Sequence, residues 1–314
     1  MKISVIMLTY NREAYIENMV QDILNQTYSD FEYIIVDNGS SDQSGAIADR
    51  YAERDKRIRV IHLDKPVSIG RGRNIGLSNA TGEYIAFVDD DDRVQNDFLE
   101  FLLDLIEGNN ADISMCGATE GDGITRNPQC LFDEKMILTG EEALRLLLGR
   151  KYIRAGIPTK LYKREILEKY PFEEKYKNED IHTQYKYLLE SRIVVLHGFD
   201  KYYITRHSSN VSGFTSNADM WDAKTMSDYL HAFHNRTEYV KLKAPDSYKY
   251  ALYAEWSFMI SMVEKIGRFH IEECRKIQQC LIEILRTNRT EFLNMPETQD
   301  FEREWMERYV ENGN

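Results

Sequence analysis

The chain has 314 residues, 42% apolar and 29% charged, the balance of a globular protein with a sizeable core and room for about two domains. Its 40 Lys and Arg against 52 Asp and Glu leave a net charge of −12, which argues against nucleic-acid partners and means that an anionic substrate would need a metal ion or placed cations. No apolar run approaches the ~20 residues of a membrane span. The amino-terminal stretch is too short for a signal peptide, and Cys116, Cys130, Cys274 and Cys280 lack CxxC spacing, which reads as free thiols of a cytoplasmic, reducing compartment.

In chain order, Ile3–Leu8 reads as an apolar strand and Glu13–Asn25 as a helix with Ile16, Met19, Val20 and Ile23 on one face. A second buried strand, Phe31–Val36, leads to Asp37-Asn38-Gly39-Ser40, with a helix over 42–53 capped by Ser40 or Ser41. Arg59–Leu63 is a third strand, Asn74–Ala80 a short helix, Tyr84–Val88 a fourth strand, Asp97–Glu107 a helix and Asp112–Cys116 a fifth strand. This alternation predicts an α/β fold, a mainly parallel, doubly wound, Rossmann-like sheet whose ligands bind beyond the carboxyl ends of the strands. The polar clusters Thr9-Tyr10-Asn11, Asp37–Ser40 and Asp89–Asp92 all fall there.

Residues 118–137, with Gly121, Gly123 and Pro128, read as a loop; Thr139-x-x-Glu142 is a capping box before Ala143–Leu148. Glu179–Leu189 reads as helical, and Ile193–Leu196 and Tyr202–Thr205 as extended. A boundary near 215 separates a catalytic domain, 1–215, from a helical region, 216–314, whose Leu252, Trp256, Met259, Ile260, Val263 and Ile277, Leu281, Ile284, Leu285 keep helical spacing. Its close-set Tyr248, Tyr250, Tyr253, Trp256 and Phe258 read most plainly as helix packing; a membrane-surface face and a homodimer contact are the other readings.

The strongest chemical signal is the run of four aspartates, Asp89–Asp92, ending the fourth strand. Taken alone an acidic run is a solvated turn. At a strand end, clustered carboxylates repel and are costly to desolvate, and a hard divalent cation, Mn²⁺ or Mg²⁺, relieves both. Strand alternation would send Asp89 and Asp91 to one side and Asp90 and Asp92 to the other. Gly70-Arg71-Gly72-Arg73-Asn74-Ile75-Gly76 departs from a dinucleotide loop, since Ile75 stands where the third glycine would be needed; it reads as a glycine-rich turn carrying Arg71, Arg73 or Asn74 to a nucleotide.

Five motifs in this order resemble the GT-A-fold glycosyltransferases of family 2, bacterial sugar transferases, over roughly residues 1–212: Val5–Asn11, Ile35–Asp42, Gly70–Gly76, Ala86–Asp92 and Asn178-Glu179-Asp180. The resemblance implies a metal-dependent, inverting transfer of a hexose or N-acetylhexosamine from a UDP-sugar to a hydroxyl of a glycan or lipid-linked saccharide, in polysaccharide synthesis, in the cytoplasm or at the inner membrane face. Within it, Thr9, Tyr10 and Asn11 line the base pocket, with Tyr10 offering a stacking face. Asp37 reads the uracil N–H (a helix cap or Asx turn is its plain alternative), and Arg71 and Asn74 approach the nucleotide. Asp89 and Asp91 are the D-x-D pair, Asp89 on the ribose and metal side and Asp91 on the metal. Asp90 departs from the small residue usual between them and is assigned only loosely, to the nucleotide. His207 lies where relatives place a metal or phosphate contact, with Arg206 beside it, and Lys160 borders the acceptor. Asp180 is the general base, and Glu179 orients acceptor hydroxyls.

Two other readings compete. A nucleotidyltransferase shares the sheet and the acidic ligands, but needs a glycine-rich phosphate loop where Thr9–Glu13 has no glycine. A non-catalytic nucleotide-sugar-binding protein would keep the fold alone.

Overall fold

Runs of β-branched and aromatic residues form the first strands in the computed structural model, which describes residues 1–207 and 222–312. Strands β1 (Ile3–Thr9), β2 (Phe31–Asp37), β3 (Ile58–His62) and β4 (Tyr84–Asp89) alternate with helices α1 (Ile16–Leu24), α2 (Ser44–Ala52) and α3 (Ile69–Ser78). The rest of this part of the chain comprises β5 (Arg93–Val94), α4 (Phe98–Gly108), β6 (Ile113–Gly121), β7 (Asn127–Gln129), β8 (Met136–Leu138), α5 (Gly140–Leu148), β9 (Lys160–Lys163), α6 (Arg164–Lys169), α7 (Glu179–Glu190) and β10 (Val194–Thr205). The sheet runs β3-β2-β1-β4-β9-β6-β10-β5. β1 to β4 pair in parallel, β6 and β10 pair in parallel, and β9 lies antiparallel between β4 and β6. The expected mainly parallel sheet is therefore present, with the short strand β9 inserted antiparallel and β5, β7 and β8 added antiparallel to β10 and β6.

Both faces of β1 are covered. Val5 and Met7 pack with α1 and α4 residues in a buried core that includes Ile16, Met19, Val20, Ile23, Phe98 and Leu102. Each of those side chains contributes roughly 1.5–3 kcal/mol on burial. On the other face Ile6 and Leu8 meet α3. A Cβ at Gly72 would stand 2.5 Å from Leu8 Cδ1, and one at Gly76 2.4 Å from Ile6 Cγ2. The glycines thus serve helix-on-strand contact. The expected turn over 70–76 is instead the body of α3, capped by Ser68, whose hydroxyl accepts from Arg71 N. Spacing alone does not distinguish glycines that bend a chain from glycines that let two elements touch.

Other boundaries shift for local reasons. Helix α2 starts at Ser44, not 42, because Ser40 and Ser41 are held in the preceding loop by Asp37 and Asn11. The 118–137 stretch holds the end of β6 with β7 and β8, and the two extended pieces after 193 are one strand, β10, bulged between His197 and Tyr202. The capping box forms as expected, Thr139 Oγ1 accepting from Glu142 N and Thr139 N donating to Glu142 Oε2 at 2.8 Å.

The chain divides into two units, Met1–Ser208 and Ser209–Asn314. The boundary expected at 215 lies outside the described residues. The second unit contains α8 (Ala223–Lys243), α9 (Tyr248–Phe269), α10 (Arg275–Thr287), α11 (Arg289–Asn294) and α12 (Asp300–Trp305). Trp256, Phe258, Ile260, Val263, Leu281 and Leu285 are buried within it, and Phe258 stacks on Phe233 at 4.1 Å. Ile284, by contrast, is exposed. No described helix is long and apolar enough to cross a membrane.

Candidate active site

Strand register brings the polar clusters side by side. Thr9 pairs with Asp37 across β1 and β2, and Leu8 with Asp89 across β1 and β4, so three strand ends open on one edge. At the first two, the loops knit together mainly through hydrogen bonds from backbone N–H groups. Asn11, in the left-handed region at φ 52°, receives Ser41 N on its side-chain oxygen at 2.8 Å and donates its own N–H to Ser40 Oγ at 3.1 Å. Asp37 is buried; its Oδ1 accepts from Ser40 N at 3.0 Å and its Oδ2 lies 2.9 Å from His62 Nδ1. The bond from Ser40 comes three residues on, not the two of an Asx turn, and the N-cap of α2 is Gln43, so neither plain alternative for Asp37 is formed; each oxygen keeps a further acceptor position. His62, which the sequence reading passed over, has a pKa raised by its hydrogen bonds to Asp37 and then Asp49. Tyr10 stands open, 45% exposed, while Thr9 is buried with its hydroxyl beside Asp90 but without a well-formed hydrogen bond.

The aspartate run does not continue the strand. β4 ends at Asp89 and the chain turns, Asp92 N reaching Asp89 O at 3.3 Å. Alternation therefore gives way to a turn, yet the sorting it predicted is kept: Asp90 and Asp92 are buried, Asp89 and Asp91 partly open. Asp91 Oδ2 lies 2.9 Å from His207 Nε2, and the imidazole stacks on Tyr15 at 4.5 Å. Arg12 Nε stands 3.7 Å from Asp90 and 3.6 Å from Asp91. Asp92 Oδ1 accepts from Thr205 N at 2.8 Å, and Tyr202, wholly buried, accepts from Asp89 N. Burial raises the pKa of Asp90 to about 8, Thr9 and Arg12 opposing it. The Asp92 carboxyl is pushed well up by burial, then by repulsion from Asp89 and Asp91. Asp89 is about half open to water, and its pKa is raised by desolvation against the pull of Arg73.

The acidic pair Glu179-Asp180 opens α7, as expected. Asp180 Oδ1 accepts from Ile181 N at 2.8 Å, and its pKa is raised, burial outweighing Arg73. Glu179 corrects an expectation. Its carboxylate is ion-paired to Arg73 and only 4% exposed, and burial lifts its pKa to about 7 against that cation, so it is not free to orient an acceptor. Asn74 is a second correction: its amide donates to Phe172 O at 2.9 Å and to Glu174, and accepts from Phe172 N at 2.9 Å, so it braces the segment before α7 rather than a nucleotide. Arg71 is exposed at the start of α3, and Arg206 turns to an ion pair with Glu120. Lys160 is buried at the start of β9, its ammonium donating to Gly156 O and Pro158 O, and desolvation lowers its pKa to about 8.

Among the described residues no three His, Cys, Asp or Glu side chains form a ready-made metal site. Asp91 with His207 nonetheless offers a hard oxygen and an imidazole at one point, and Mn²⁺ or Mg²⁺ commonly takes one or two protein ligands and fills its shell with substrate phosphates and water.

The family model "Glycosyl transferase family 2" matches residues 4–170. The chain belongs to glycosyltransferase family 2. The nucleotidyltransferase and non-catalytic readings give way to it. The glycosyltransferase GlyG of Streptococcus pneumoniae serotype 4 is 32% identical over 66% of this chain and 71% of its own length. TarS of Staphylococcus aureus, a poly(ribitol-phosphate) beta-N-acetylglucosaminyltransferase, is 30% identical over 71% of this chain, but only 39% of TarS is spanned. The structure of TarS 1–349 in complex with UDP-GlcNAc superposes over 99% of this chain and 92% of that one, with a TM-score of 0.62 at 24% identity, and shares the GT-A fold. A mannosyltransferase from Pyrobaculum calidifontis, solved with GDP-Man and Mn²⁺, shows the same fold more distantly, at a TM-score of 0.54 and 17% identity over 98% of this chain and 84% of that one.

Proposed function

We propose that this glycosyltransferase moves a hexose or N-acetylhexosamine from a UDP-sugar to a hydroxyl of a growing cell-surface glycan, with inversion and with a divalent cation. The observation that carries the reading is the convergence on one sheet edge of Asp37, Asp89 and Asp91, with Arg73 linking Asp89 to the residue beside Asp180. The UDP-GlcNAc bound by TarS supports the donor class, and the Mn²⁺ bound by the Pyrobaculum calidifontis mannosyltransferase supports the cation.

Each side chain has a task set by its surroundings. Asp37, fixed by Ser40 N–H and His62, presents a carboxylate to the uracil N–H, and the open ring of Tyr10 offers a face to the base. Asp91 and His207 would hold the cation, which would neutralise charge on the departing diphosphate. Asp180 accepts the proton of the acceptor hydroxyl as that oxygen forms its bond to the anomeric carbon and the bond from that carbon to the diphosphate oxygen breaks. The electron pair leaves on UDP, and the proton stays on the Asp180 carboxyl.

A panel of UDP-sugars assayed for UDP release, with Mn²⁺ and with EDTA, tests this. Release from at least one UDP-sugar that EDTA abolishes is the expected result. Full activity in EDTA would remove the cation from Asp91 and His207, and release from a GDP-sugar alone would overturn the uracil pocket.

A further inference from the structure

Arg73 is a buried cation held from several sides. It lies in α3, is 8% exposed, and its guanidinium carbon is 5.8 Å from the Phe87 ring centre and 5.6 Å from that of Phe172. One arm, Nη1, pairs with Glu179 Oε1; the other, Nη2, reaches Asp89 Oδ1 at 3.3 Å. Asp89 ends β4, and Glu179 opens the helix that carries Asp180. A single planar fork therefore spans the donor-side acid and the base-side helix, with two aromatic rings beside it. Its neighbour Asn74 fixes the same incoming segment through both backbone groups of Phe172.

We propose that Arg73 is a positioning residue for the transfer step: it sets the spacing between Asp89 and the Glu179-Asp180 helix start, and so the placement of the base relative to the departing group. This rests on the functional reading above. Three observations separate it from a merely structural ion pair. The two carboxylates it joins belong to opposite halves of the site, 90 residues apart in sequence (179 − 89). The fork uses different nitrogens for each, which a point charge cannot reproduce. The residue after Glu179 is Asp180, on which Arg73 exerts the main opposing charge to burial. Since a displacement of about 1 Å in a reacting group costs on the order of 100-fold in rate, loosening this span should be read in turnover before substrate affinity.

The test compares Arg73→Lys with the wild-type enzyme in steady-state transfer, with UDP binding measured by calorimetry on the same preparations. The expected result is a kcat lower by about 10–100-fold, KM for the UDP-sugar within about 3-fold, and UDP bound at full stoichiometry, which shows that the folded fraction is unchanged. A kcat near wild type in Arg73→Lys would overturn the proposal while leaving the proposed reaction intact. Should Arg73→Lys fold poorly, the pair Arg73→Gln with Glu179→Gln removes both buried charges together. That double variant is expected to bind UDP at full stoichiometry with kcat still depressed, and recovery of wild-type kcat would again overturn the positioning role. A wild-type protein that releases UDP from no UDP-sugar would strike the functional reading itself, and Arg73 would have no transfer to position.

Discussion

The loops after β1 and β2 and the acidic cluster after β4 with the start of α7 share one sheet edge but are held by different means. In the first, Asn11, Ser40, Ser41 and Asp37 are joined by hydrogen bonds from backbone N–H groups, and Tyr10 is left open. In the second, Asp89, Asp91 and Glu179 are held by Arg73, Arg12 and His207, several of them out of water. Hydrogen bonds among partly solvated groups contribute about 0.5–1.5 kcal/mol each, whereas a buried charge stripped of its partner costs several. Outside the Asp37–His62 pair, the hydrogen-bonded loops can therefore tolerate change better than the ion-paired region. On the proposed reaction the difference has a use: proton transfer and diphosphate departure would both move charge, and the ion-paired side chains are gathered at the second region.

Substitutions can break that contrast, beginning with the largest effect. Arg73→Met leaves Glu179 and Asp89 without their shared cation and should lower stability by about 3–5 kcal/mol in urea titration, while Asn11→Ala in the hydrogen-bonded loops should lower it by about 1. Equal losses would erase the distinction.

Asp90 gives a pH test of the same region. Its carboxyl titrates near the usual Asp value when unfolded and at about 8 when folded, so the native state binds the extra proton. Between those values the folded form holds more protons than the unfolded form, and stability falls as pH rises. In metal-free protein, Asp90→Asn should therefore be more stable than wild type at pH 8, by about 1–3 kcal/mol, with the gain shrinking toward pH 5. A gain that did not depend on pH would remove burial of the charge as its cause.

Gly76→Ala puts a methyl 2.4 Å from Ile6 Cγ2 and should cost about 1–3 kcal/mol through overpacking, seen in the same titration. The smallest effect belongs far from both loops. Thr139→Ala removes the cap of α5 and should cost about 1 kcal/mol with UDP binding unchanged.

The sheet and its polar edge were legible because strands and strand-end turns are written in short-range patterns, such as Ile3–Leu8 followed by Thr9-Tyr10-Asn11. The partners were not. His207 against Asp91, Arg73 against Glu179 and His62 against Asp37 join residues far apart in sequence, Arg12 sits in a loop with no periodic signal, and Tyr15, read as part of a helix starting at Glu13, is instead the residue that precedes its first turn. Helix α3 was cut short because glycines that allow close packing look like glycines that turn a chain, and β9 was missed because a four-residue antiparallel insertion carries little pattern of its own.

The central claim is that Asp180 is the base of a sugar transfer. Turnover of Asp180→Asn with the best UDP-sugar, measured beside UDP affinity, tests it most directly. The account predicts a loss of about 10²–10⁴-fold in kcat with UDP affinity within about 3-fold of wild type. Turnover near wild type in that variant would contradict it.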